Sequence, residues 1–306
     1  MTADAQTHER IEVPVVVDEE QVDFYVDNGY LAVPGLLDQN ELNELKQDII
    51  HLARGGYPNQ TIQPVAAELS DDEVLSKILA IHQPHYVSPV MEKYTRHPNI
   101  SGVLSQITGA HLAHWSGNVK CMQSMLFIKP PGYQGQSWHQ DENYIPTRDR
   151  SLLGAWIAID DAYVENGCMW VIPGSQRAGY LYPTEKHGDP DEFDTHDDMA
   201  TGFDESPQIP VEVKAGSVVF FNGYLLHQSL RNRTKDSYRR VLVSHYLSSE
   251  SLLPWVKTVQ DEPVARADVR RVFPVAGTDP YAWKGYEKHP AAETRLYIRK
   301  ATFDED

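Results

Sequence analysis

The chain has 306 residues, and its 27 Lys plus Arg against 44 Asp plus Glu give a formal net charge of −17. That excess of negative charge repels phosphate backbones and anionic lipid heads, which argues against nucleic acid or a membrane surface as partner. Two cysteines, Cys121 and Cys168, lie in apolar runs and are too few for a disulfide framework, and no apolar run approaches the roughly 20 residues of a membrane span.

From the N-terminus, "MTADAQTHERIE" lacks the basic start and apolar stretch of a secretory signal. "EEQVDFYVDNGYLAV" predicts a short helix from about Asp18 that stops at Asn28-Gly29, followed by a strand over Tyr30 to Val33. Asp38 is placed to cap a second helix, in which Leu42, Leu45, Ile49 and Leu52 recur at helical spacing before Gly55-Gly56 ends it. Further helix is expected through "DDEVLSKILAIH" and "SPVMEKYTRHPNISGVLSQITG", broken by Pro89 and Pro98.

From Lys120 the texture changes to short β-rich runs: "CMQSMLFIKP", "LLGAWIAIDDA", "CMWVIPGS", "SVVFFNGYLLHQS" and "RRVLVSHYL". Antiparallel strands in such numbers must hide their edges, and a double-sheet jelly roll does so. The acidic stretch "KHGDPDEFDTHDDMATGFDESPQIP" reads as a long surface loop or lid, and beyond Tyr246 a polar tail is anchored by Trp255, Tyr281 and Trp283. The expected organisation is one domain over residues 1–306: a helical part over about 18–115, a core over about 118–250 and a wrapping tail over 251–306. "FDED" at the C-terminus is not a peroxisomal address, so the expected compartment is the cytoplasm.

His-x-Asp occurs three times, at His139/Asp141, His187/Asp189 and His196/Asp198. In extended backbone, residues two apart point to the same face, so any of these pairs could reach one ion. Only the first, in "SWHQDENYIP", follows a strongly β-patterned run and has aromatic walls, Trp138 and Tyr144, that could shelter a reactive centre; the other two lie in the acidic loop and read as solvated charge. A non-haem Fe(II) site needs two imidazoles and one carboxylate on one face of the ion. His227, after an apolar strand, is the best second imidazole, although alone it reads equally as a core histidine bonded to backbone. Arg239 shares strand parity with Val241 and Val243 and points inward, where a guanidinium needs an anion; a structural ion pair is the plainer alternative. Arg240, of opposite parity, is expected to face solvent.

Together these blocks resemble the phytanoyl-CoA dioxygenase family of Fe(II)- and 2-oxoglutarate-dependent oxygenases. The likeness runs from "DFYVDNGYLAVPGLLDQNELNELK" through "MQSMLFIKPP", "WHQDENYIP" and "AWIAIDDAYVENGCMWVIPGSQR" to "GSVVFFNGYLLHQSLRNRTKDSYRRVLVSHY". The resemblance implies a mainly β (α+β) fold, a double-stranded β-helix of cupin-like jelly-roll form with N-terminal and flanking helices. It implies His139, Asp141 and His227 as iron ligands, and Arg239 with Ser229 on the distal carboxylate of 2-oxoglutarate. Gln140 and Trp156 match positions lining the site. Related halogenases carry a small residue where Asp141 stands, so the implied reaction with dioxygen is hydroxylation of a small organic molecule, with release of succinate and carbon dioxide. Two other readings are a non-enzymatic jelly-roll binding protein and a cupin-like metal isomerase. Lys129, Arg148, Arg150, Arg177 and Lys186 flank the expected mouth and could meet an anionic substrate, while Tyr144, Trp170, Tyr180 and Tyr182 could line an apolar one.

Overall fold

Asp18 and Asp38 sit in extended backbone and accept hydrogen bonds from first-turn amides, and so start α1 (Glu19–Asn28) and α2 (Gln39–Ala53). The computed structural model describes residues 9–58, 61–194, 198–255 and 266–298. Gly29 ends α1 at φ +78°, a left-handed conformation that glycine adopts without steric cost. The apolar stripe of α2 is buried as its spacing predicts. Pro89 and Pro98 open α4 (Pro89–Thr95) and α5 (Pro98–Ile107), at first-turn positions where a missing N–H costs nothing.

One helical expectation fails. α3 (Asp71–Ser76) stops early, and Ile78–His82 forms strand β2. Ile78, Ala80 and Ile81 are buried there, and cross-strand pairing outweighs a locally helix-like pattern.

The larger antiparallel sheet runs β1 (Tyr30–Val33), β10 (Val218–Asn222), β5 (Leu153–Ala158), β12 (Arg239–Ser248), β3 (Val119–Lys129), β2, β14 (Arg295–Ile298), with β13 (Phe273–Ala276) also paired to β3. The smaller sheet runs β4 (Gln136–His139), β11 (His227–Ser229), β6 (Met169–Val171), β9 (Ile209–Val211). Alternation along each strand divides the large sheet into two faces. Leu126, Ile157, Phe220 and Leu242 pack against Leu45, Ile49, Met91 and Ile100 of the helices. Trp156, Val219, Phe221, Val241 and Val243 pack against Met169, Val171 and Val211 of the small sheet. The result is the expected jelly roll, with helices covering its outer large face.

Parity assigns Arg240 to the helical side, but it is not solvated there. Its guanidinium grips Asp160 through two 2.7 Å contacts, and Lys46 of α2 lies 3.3 Å from the same carboxylate. Burial alone would raise the Asp160 pKa, yet the hydrogen bonds and charge of Arg240 outweigh it and hold the group below its ordinary 3.8. A carboxylate depressed in the folded state contributes stability above its unfolded pKa and loses that contribution as pH falls through the lower folded value. Asp160→Asn is therefore expected to destabilise the protein by about 2–3 kcal/mol at pH 7, near the low end for breaking a largely buried pair. In urea melts at a series of pH values, the gap to wild type should narrow below about pH 4. A gap independent of pH would contradict this assignment.

The acidic stretch contains more structure than a bare loop. β7 (Thr184–Lys186) and β8 (Asp198–Ala200) pair as a hairpin, and β9 lies in the same region. Glu192 anchors the segment between them, accepting from the Arg231 amide at 2.8 Å and from the Arg233 guanidinium. His187 bonds the Asp194 carbonyl, and Asp189 accepts from the amides of Asp191 and Glu192, so this His-x-Asp pair stabilises its own loop. His196 lies outside the described residues. In the tail, Trp255 packs against Met122, Leu247, Leu253 and Val269, and the Tyr281 ring lies 6.0 Å from the buried Lys120 ammonium, whereas Trp283 is 77% exposed; β13, β14 and the buried Arg270–Asp279 pair at 2.7 Å add to the anchoring. No helix among the described residues is long and apolar enough to cross a membrane.

Candidate metal centre and co-substrate pocket

His139 ends β4 and His227 begins β11, and the antiparallel pairing of these strands sets the two residues directly opposite each other. Facing residues in neighbouring strands share a side of the sheet, so both imidazoles turn inward, with ring centroids 4.0 Å apart. Each ring is fixed in the same way. His139 Nδ1 bonds the Ser137 carbonyl at 2.7 Å and His227 Nδ1 the Leu225 carbonyl at 3.0 Å. A carbonyl can only accept, so each ring carries a proton on Nδ1 and turns its Nε2 toward the space between them.

Those two Nε2 atoms lie 3.6 and 3.7 Å from one oxygen, Oδ1 of Asp141, just past the end of β4. Its other oxygen, Oδ2, receives Nε2 of His245 on β12 at 2.8 Å, which leaves Oδ1 alone to face the imidazoles. Burial, together with the charge His227 would carry, pushes the His139 pKa down to about 3. For Asp141 burial works the other way, but the imidazoles of His227 and His245 hold its carboxyl well below the usual range. Neutral imidazole and ionised carboxylate are the forms that bind a metal. Among the described residues this is the only grouping of three His, Cys, Asp or Glu ligand atoms so disposed. Two nitrogens and one oxygen meeting from one side fit a ferrous ion with open positions opposite.

Two residues along β11 from His227, Ser229 pairs with Gln136, about 7 Å away at the rise of a strand. Arg239 reaches the same inter-sheet space from β12. It is 5% exposed, its Nε donates to the Gly167 carbonyl at 3.2 Å, and its guanidinium lies 5.6 Å from the Trp156 ring. The parity argument for an inward Arg239 therefore agrees with its placement.

The family model for phytanoyl-CoA dioxygenase (PhyH) matches residues 25–241. The chain belongs to the phytanoyl-CoA dioxygenase family. It is 30% identical over 263 residues to phytanoyl-CoA dioxygenase 1 of Oryza sativa subsp. japonica, covering 76% of this chain and 89% of the relative. Among solved structures it resembles the non-haem α-ketoglutarate-dependent carbocyclase SnoK from nogalamycin biosynthesis (TM-score 0.58, 21% identity, 82% of this chain and 92% of that one). It also resembles EvdO2 from Micromonospora carbonacea var. aurantiaca complexed with 2-oxoglutarate (TM-score 0.57, 20% identity, 84% and 99%). At such identities these two likenesses speak for the fold. Family membership makes the chain a non-haem iron, 2-oxoglutarate-dependent dioxygenase, with Fe(II), 2-oxoglutarate and dioxygen as its cofactor and co-substrates.

Within this dioxygenase, several residues stand elsewhere than their position in the sequence suggests. Trp138 alternates with His139 and points to the far side of β4, where its indole packs edge-on against Phe203 and donates to Glu205 at 3.1 Å. Tyr144 is exposed. Neither forms a wall around the imidazoles. The Gln140 amide donates to the Tyr224 and Tyr180 carbonyls and accepts from the Tyr182 amide, fastening the Tyr180–Tyr182 segment beside the centre. Of the five flanking cations, Arg148, Arg150, Arg177 and Lys186 are exposed and Lys129 is buried. His245 is the contact that the motif reading misses, although it shares parity with Arg239, Val241 and Val243 and so had a signal.

Proposed function

We propose that His139, Asp141 and His227 hold the ferrous ion of this family. On this reading Arg239 and Ser229 bind the distal carboxylate of 2-oxoglutarate, Trp156 walls that pocket, and Gln140 ties the site to the loop above it. The reaction we propose is hydroxylation of a small organic molecule, coupled to conversion of 2-oxoglutarate to succinate and carbon dioxide, in a single catalytic domain. Iron, when bound, supplies the activation of dioxygen. The chain's own residues fix the orientation of the ligands, orient the co-substrate and keep water from the buried centre.

The observation that carries this reading is the meeting of two imidazole Nε2 atoms and one carboxylate oxygen, with an inward arginine on a neighbouring strand. The carboxylate of Asp141 favours hydroxylation over halogenation, since it fills the position an incoming halide would need. The buried free thiols Cys121 and Cys168 suit a reducing compartment, and on that ground we assign the cytoplasm.

Anaerobic protein given Fe(II) and 2-oxoglutarate should develop a weak visible charge-transfer band that His139→Ala lacks. Candidate substrates should be screened for stimulated succinate release and the products weighed by mass spectrometry for one added oxygen. An identical spectrum from wild type and His139→Ala would overturn the ligand assignment.

A further inference from the structure

Lys129 is the last residue of β3 and stands directly opposite Arg239 of β12 in the sheet register. It shares parity with Phe127 and Met125, which pack into the space between the sheets, and its side chain follows them inward to 5% exposure. Its ammonium donates to Ser229 Oγ at 2.9 Å, to the Leu230 carbonyl at 2.6 Å and to the Gly167 carbonyl at 3.4 Å. The Gly167 carbonyl is the same oxygen that accepts from Arg239 Nε. The two cations are thus brought together at one backbone oxygen. Gly167 itself, at φ +79°, leaves room for this: a Cβ there would stand 2.4 Å from the Leu230 oxygen and 2.9 Å from Lys129 Nζ.

Ser229 Oγ also accepts from the backbone amide of Gln136 at 3.3 Å. A hydroxyl has two acceptor positions and one proton. Here both acceptor positions are taken, one by a charged donor, so the proton of Ser229 is left to be donated onward. A hydroxyl polarised by an ammonium and aimed in this way is a stronger donor than serine alone, and its natural acceptor is an anion.

We propose that Lys129 is a positioning residue of the co-substrate pocket, holding Ser229 as a hydrogen-bond donor beside Arg239 and adding a second buried positive charge that selects 2-oxo acids with a distal carboxylate. This rests on the reading of Arg239 as the carboxylate clamp. Lys129 acts through Ser229 and through its charge; it is not itself a catalytic residue.

The test is calorimetric titration, without oxygen, of the iron-loaded protein with 2-oxoglutarate and with 2-oxopentanoate, which has the same chain length but a methyl end. Lys129→Met is expected to weaken 2-oxoglutarate about tenfold, the effect of losing one charge-assisted hydrogen bond. Binding of 2-oxopentanoate and the iron content should hardly change. Ser229→Ala should do the same, and adding it to Lys129→Met should cost little more, because the two act as one unit. Lys129→Arg, which keeps the charge, should recover part of the loss. Should Lys129→Met fail to fold, Lys129→Gln and Lys129→Arg decide the matter: a loss confined to 2-oxoglutarate, larger in Lys129→Gln than in Lys129→Arg, supports the proposal, and unchanged binding in both overturns it.

Unchanged 2-oxoglutarate binding in the Lys129 variants, or equal weakening of both acids, would overturn the proposal. Arg239→Leu in the same titration separates the two levels. If it weakens 2-oxoglutarate while Lys129→Met and Ser229→Ala do not, the role of Lys129 falls alone. If Arg239→Leu also leaves 2-oxoglutarate binding intact, the clamp reading falls and takes this proposal with it.

Discussion

His227→Ala is expected to leave the protein folded, unable to retain iron through gel filtration, and at least about a thousandfold slower in succinate release. The size follows from the role. A bound metal contributes several kcal/mol of stabilisation to the reacting state, and each 1.36 kcal/mol is a factor of ten. Folding should survive because the imidazole contributes one hydrogen bond to its own backbone neighbour, the Leu225 carbonyl, and such a bond is worth about 1 kcal/mol. The diagnostic comparison is thermal. Metal binds the native state alone, so Fe(II) or a redox-inert substitute should raise the wild-type melting temperature and leave that of the variant where it was. Equimolar iron in the variant, with the same thermal shift, would remove His227 from the ligand set.

Arg239→Leu should raise the 2-oxoglutarate concentration for half-maximal succinate release by about a hundredfold, as expected for truncating one member of a buried charged pair. Iron content should not change, since the guanidinium is bound to the Gly167 carbonyl and not to the histidines. At saturating 2-oxoglutarate most of the turnover should return, because an interaction made equally in ground and transition states affects KM rather than kcat. Arg239→Lys should restore only part of the affinity, as an ammonium is a point charge without the planar fork that matches a carboxylate. A half-saturation constant unchanged by Arg239→Leu would place the co-substrate elsewhere.

How much of this was legible beforehand depended on whether the signal was local. The start of α1 near Asp18, the cap at Asp38, the stripe of α2 and the parity that separates Arg239 from Arg240 all concern one segment, and the structure agrees with them. Strand β2 was misread because its partners, β3 and β14, lie far along the chain and no short window contains them. Arg240 was expected in solvent because parity gives a face but not what covers that face, here α2 with Lys46 and the neighbouring Asp160. Trp138 was assigned to the reactive side although its alternation with His139 already opposed this. Lys129 was grouped with surface cations for want of its pairing with Arg239, which only the sheet register reveals.

The tail beyond the family match has a consequence for anyone trimming the chain. β13 covers one half of β3 where β2 covers the other, and β14 in turn covers the outer side of β2. A version ending near residue 250 would lose both strands and uncover two rows of unsatisfied backbone donors and acceptors, beside apolar side chains such as Cys121 and Ile81. Exposed rows of that kind recruit other chains. Such a fragment, although it retains every proposed ligand, should stick to itself and collect as oligomers or precipitate before any assay of its chemistry could begin.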